Sequence, residues 1–237
     1  MKNIMEKKNV NLSQWKYLVI VLLICLNGCF SMDVHKELFR SSIHDESLSK
    51  EAIEQMQKGI TTTADVKYRK ISAVHMDNMT GTFAISKAYK DELSKFDVYL
   101  RNKKYEEAGV ALHTITDFYS HSNYIPLYKL YAEANGKSLY VKDIPIFSEA
   151  MNDAVLMSFI EDRGGLRTGT YGDGIFAFLE DKFSKDIYSH GQMNLDSNKS
   201  TTGKLPYNKY LTMHDAAKAA AHRDLDMIAS SQIKVKW

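Results

Sequence analysis

His113, Asp117 and His121 stand at four-residue intervals in the stretch "ALHTITDFYSHSNYI", residues 111 to 125. On a helix each such step advances roughly 40°, so the three side chains share one face across two turns. Leu112, Ile115, Phe118 and Tyr119 fall on the opposite arc. An apolar helix that also carries two imidazoles and a carboxylate must pair them or use them, because burying such groups alone is costly. Neutral imidazole and carboxylate are the natural zinc ligands where no thiolate is available, and a carboxylate between two ions can bridge them.

The other histidines are His35, His44, His75, His190, His214 and His222. His44 precedes a helical pattern, His75 follows the loop that holds Asp65, and His190 lies in a Gly- and Asn-rich loop. Loops and helix ends of this kind can aim a side chain inward. Apolar residues recur with helical spacing at about 47–60, 82–101, 104–122, 146–161 and 209–231, with shorter pieces near 127–134 and 173–188. Ser47 or Ser49 caps the first of these, and Gly59 lies near its end. Strand alternation is scarce. The segments 61–70, 135–145, 162–174 and 189–206, rich in Gly, Ser, Asn and Thr, read as loops. With no repeat and no linker, this predicts a single-domain all-α bundle of about six to eight helices.

The 237 residues are 44% hydrophobic and 25% charged, which suits one domain with a sizeable core. Lys2, Lys7, Lys8 and Lys16 precede the apolar run "YLVIVLLICL", shorter than a membrane span requires, so the start reads as an export signal. It ends in "LNGC", similar to the bacterial lipoprotein processing box, with Cys29 as the lipid anchor and Asn27 a less usual residue there. The expected division is a signal at 1–28, a tether at 29–42 and a helical domain at 43–237, held outside the cytoplasm at a membrane or secreted. The whole chain has a formal net charge of +2, and the part after residue 28 is about −1, so no strong footprint for nucleic acid is expected. The two cysteines, Cys25 and Cys29, both lie at the N-terminal segment, so no disulfide is expected in the domain.

"LHTITDFYSHSNY" and "SIHDESLSKEAI" resemble the central signature and the helix start of the Het-C group. That group is related to the zinc-dependent phospholipase C of bacilli and the single-strand-specific zinc nucleases. "KGITTTAD" with "AVHMDN" is similar to a phospholipase segment, and "LRTGTYGD" and "HGQMNLD" look like later Het-C blocks. The resemblance spans about residues 42–226, with the identities concentrated in short motifs, and implies a phospholipase C type of bundle with two or three zinc ions.

Carried over by position, the resemblance makes His44 a ligand of one zinc and Asp65, His75 and His113 ligands of a second, with Asp117 bridging the two. A third site would use His121, His190 and His214, with Asp196 or Asp226 as the carboxylate. The spacing departs from the phospholipase here. His190 is followed four residues later by Asn194 and His214 by Lys218, whereas His222 and Asp226 keep the spacing but lie late in the final helix, where such a pair also suits a helical surface. In those relatives a free N-terminal amine also binds zinc, which an acylated Cys29 does not offer. His35 is the candidate to replace it, on a stretch that otherwise reads as an exposed tether.

These ligands imply phosphoester hydrolysis by a zinc-activated water, which Asp65 would orient or deprotonate. No Gly-x-Ser-x-Gly elbow and no phosphate-binding loop compete. A membrane-anchored, near-neutral protein favours phospholipid as substrate and partner, hence phospholipase C-like activity. A zinc nuclease or nucleotidase and a non-catalytic lipid-binding protein with structural zinc remain the alternatives.

Overall fold

In a computed structural model, residues 31–43, 48–170, 189–198 and 200–233 are described. The lipoprotein-like segment with Cys29, His44, and the helical pattern near 173–188 lie outside them. The described residues form an all-α fold, joined only by isolated bridges and without named strands.

Helix α1 (Met32–Ser42) turns His35, Leu38, Phe39 and Ser42 inward at i, i+3, i+4 and i+7. The expected tether is therefore corrected over these residues: they form a helix packed into the bundle. Helix α2 (Lys50–Lys58) is capped by Ser49, whose hydroxyl accepts from the Ala52 amide at 3.1 Å. It runs on into a π-helical stretch, Gly59–Lys67, in place of the loop expected at 61–70. The threonines that suggested a loop are tied inward instead. Thr61 Oγ1 donates to the Gln57 carbonyl and Thr63 Oγ1 to Glu106 Oε1, both at 2.7 Å. Such π-helical insertions re-register side chains and are frequent at functional sites.

Helix α3 (Thr82–Arg101) and helix α4 (Tyr105–His121) pack side by side, and α4 is buried from Ala111 through His121. Its apolar arc meets an aromatic cluster in which the Phe118 ring lies 4.2 Å from Phe147 and 5.5 Å from Tyr89 between centroids. Helix α4 can approach α2 this closely because glycine faces glycine. A Cβ on Gly109 would collide with the Met56 carbonyl oxygen, and one on Gly59 with that of Glu106.

Beyond α4 come α5 (Tyr124–Ala134), α6 (Phe147–Ala150), α7 (Ala154–Glu161), α8 (His190–Met193) and α9 (Met213–Ile228). The pattern at 146–161 is split because the Asp153 side chain caps α7, accepting from Val155 and Leu156 amides at 3.0 Å. Thr212 and Asp215 form a capping box that starts α9. Among the described residues no helix is long and apolar enough to cross a membrane.

Candidate metal centre

Asp117 is fully buried, and imidazoles from three directions converge on its carboxylate. His35 Nε2 from α1 lies 3.2 Å from Oδ1, while His75 Nδ1 and His113 Nε2 lie 3.2 and 2.9 Å from Oδ2. The two oxygens thus face different partners. His113 Nε2 is also 3.1 Å from His75 Nδ1 and 3.7 Å from Asp65 Oδ1. Two overlapping donor groups result, His35/Asp65/His113 and His75/His113/Asp117, each with its ligand atoms within 4.8 Å of one another. These buried groups could hold a metal ion.

Each element has a local reason for its aim. His113 and Asp117 are one turn apart on α4, below the Gly59–Gly109 crossing. Asp65 arrives on the π-helical stretch, and His75 ends a short 3₁₀ turn, Ser72–His75, closed by Met76 in the left-handed region (φ 52°). The imidazole faces are fixed from behind. His113 Nδ1 donates to the Ile60 carbonyl at 2.9 Å, which leaves the Nε2 lone pair for the cluster. His35 Nδ1 is 3.1 Å from the Thr116 hydroxyl, which itself donates to the His113 carbonyl at 2.9 Å, so Nε2 of His35 likewise turns to Asp117.

Electrostatics show the same demand for positive charge. Burial disfavours a charged imidazole at His113, yet the Asp117 and Asp65 carboxylates push it up to about 9. Burial would also raise the Asp117 carboxyl, but His113 and His121 hold it well below the usual range. His35 is depressed by burial and then by the charge of His113. A divalent cation meets this demand with deprotonated ligands. The donor chemistry fits one: nitrogen and oxygen donors only, with buried Asp65 Oδ2 and Asp117 Oδ1 lacking hydrogen-bond partners.

His121 belongs to a second cluster one turn further along α4. Its Nδ1 donates to the His75 carbonyl at 2.7 Å and lies 3.1 Å from Asp77 Oδ1, and its Nε2 is 3.3 Å from Asp196 Oδ1. Burial opposes charge at His121, but Asp77, Asp117 and Asp196 drive its pKa well up. Neither carboxylate oxygen of Asp196 has a hydrogen-bond partner. His214 Nδ1 donates to the carbonyl of adjacent Leu195 at 2.7 Å, which places His214 beside this cluster at the start of α9. The main chain of His190 starts α8, while its side chain lies outside the described residues. Asp226 is on the exposed surface of α9, 3.1 Å from His222 Nδ1, and does not join the site.

The segment 166–170, expected to be an ordinary loop, packs against the second cluster. Gly169 donates to the His121 carbonyl and accepts from the Asn78 amide, at 2.9 and 2.8 Å, and Thr168 bridges to Ser122. Asp77 went unnoticed in the sequence, although it stands two residues after His75. His35 had a visible signal, the inward spacing of Leu38, Phe39 and Ser42 on its own helix. Comparison of the chain with family models, with curated proteins and with solved structures gave no match.

Proposed function

We propose that this protein is a metal-dependent phosphoester hydrolase, phospholipase C-like in reaction, with zinc as the metal. The observation that carries the reading is the Asp117 carboxylate with its two oxygens turned to separate imidazole groups. His35, Asp65, His75, His113 and Asp117 would hold the metal, with His121, Asp77 and Asp196 as a further set. When bound, zinc lowers the pKa of water toward neutrality and stabilises charge on phosphoryl oxygens. Asp65 is the acidic group of the cluster that reaches partial exposure, and its unpartnered Oδ2 would take a proton from an attacking water. Asp117, fully buried, holds the imidazoles in place and stays ionised. The resemblance to zinc-dependent phospholipases and Het-C proteins rests on the sequence motifs and supports phospholipid as the substrate class.

The test is release of water-soluble phosphoryl headgroup from phospholipid by the zinc-loaded protein, beside single-stranded DNA and a nucleoside monophosphate. Asp65→Asn, assayed at saturating zinc, is expected to lose about 10²- to 10⁴-fold in turnover. Turnover on nucleic acid alone would move the reading to a nuclease. Metal binding without turnover on any of the three would leave a structural centre.

A further inference from the structure

The chain that joins Asp65 to His75 carries an unusual surface. Val66 and Ile71 are 62% and 48% exposed, large aliphatic groups held in water beside a buried polar centre. Between them stand Lys67, Tyr68, Arg69 and Lys70, and no acid occurs from residue 66 to residue 76. Lys67 and Lys70 are exposed, with Lys67 Nζ 4.9 Å from the Tyr68 ring centroid. The neighbouring Glu106 is engaged by Lys58 Nζ and Thr63 Oγ1, each at 2.7 Å, and Asp77 is buried against His121. Two exposed aliphatic residues interspersed with cations are thus held at the partly exposed edge of the His/Asp cluster, because the segment runs between two of its residues, Asp65 and His75.

We propose that residues 66–71 dock the protein onto an anionic phospholipid bilayer. Val66 and Ile71 enter the interfacial layer, while Lys67, Arg69 and Lys70 lie at the level of the negative headgroups. Aliphatic side chains favour this partner over single-stranded nucleic acid, which is bound through aromatic platforms, and here Tyr68 is the sole ring and is half-buried. The docked orientation brings Asp65 toward the headgroup layer. The inference deepens the phospholipid reading and rests on it for its purpose, but docking is measured without turnover.

The reporter is placed on the segment itself. In the full chain, Ile71→Trp is compared with the parent, whose tryptophans are Trp15 and Trp237. The vesicles are equal parts phosphatidylglycerol and phosphatidylcholine brominated on the acyl chains, so the difference signal belongs to position 71. Docking predicts a blue shift and quenching of that signal, weakened by salt. Adding Lys67→Glu and Lys70→Glu should weaken vesicle affinity on the order of 100-fold at low salt. Adding Val155→Ser instead, at an equally exposed aliphatic residue on α7, should leave it unchanged. A difference signal that vesicles do not alter overturns the proposal. So does tighter binding of single-stranded DNA that the same charge reversals abolish. Quenching without headgroup release under any metal keeps the docking surface and ends the phospholipase reading. Headgroup release from a soluble short-chain phospholipid without quenching does the reverse.

Discussion

His35 Nε2 lies 3.2 Å from Asp117 Oδ1, joining α1 to the last turns of α4. The Thr116 hydroxyl, 3.1 Å from His35 Nδ1, holds the ring in that orientation. Removing that support in Thr116→Val is expected to weaken zinc affinity about 10- to 100-fold, the usual cost of losing a group that orients a ligand. His35→Ala should cost at least as much, since it removes the donor. Competition against a chromophoric chelator checks both, and unchanged affinity in His35→Ala would place the metal elsewhere.

The Gly59–Gly109 crossing sets how deeply α4 sits against α2 and the π-helical stretch. Gly109→Ala forces the backbones apart at the Met56 carbonyl, with no flexible side chain to yield. About 3 kcal/mol of stability should be lost, which for a domain of this size is roughly 6–12 °C in Tm. Thermal unfolding followed by circular dichroism measures it. A shift under about 2 °C would show that the crossing relaxes freely.

Asp224 gives a pH dependence of its own. It is buried on α9, and its Oδ2 accepts from the hydroxyls of Tyr89 and of Tyr119, the latter at 2.8 Å. Burial pushes the carboxyl up to about 6, against the two hydrogen bonds that favour the anion. A carboxyl raised in the fold contributes most below its ordinary value near pH 4, and that contribution falls as pH rises through 6. The span corresponds to about 3 kcal/mol. Asn keeps the acceptor without the charge, so Asp224→Asn should gain stability relative to the parent between pH 4 and 7. Urea unfolding across that range tests the sign. A parent-minus-variant difference that does not change with pH would refute it.

Sequence periodicity located what depends on local geometry. The helix at 82–101 and the shared face of His113, Asp117 and His121 follow from 3.6-residue spacing, and the structure has both. What it did not show depends on distant contacts or on hydrogen-bond register. The π-helical stretch that carries Asp65 looks like a Thr-rich loop until Thr63 meets Glu106 from α4. Asp77 follows a left-handed Met76, where no helical or strand period applies. In the sequence His35 is only a stand-in for an N-terminal amine, on a stretch that reads as a tether, and its value comes from Asp117, far along the chain. The side chains of His44 and His190 lie outside the described residues, so their expected roles rest on the sequence motifs.

The most direct measurement is the metal content of the full chain purified without chelator, by elemental analysis, beside Asp117→Asn. The account predicts one or more zinc ions per chain in the parent and a sharp reduction in Asp117→Asn, with helical content retained at low temperature. A parent chain that is folded, metal-free and unable to take up zinc on reconstitution would contradict the metal centre, and the hydrolase reading with it.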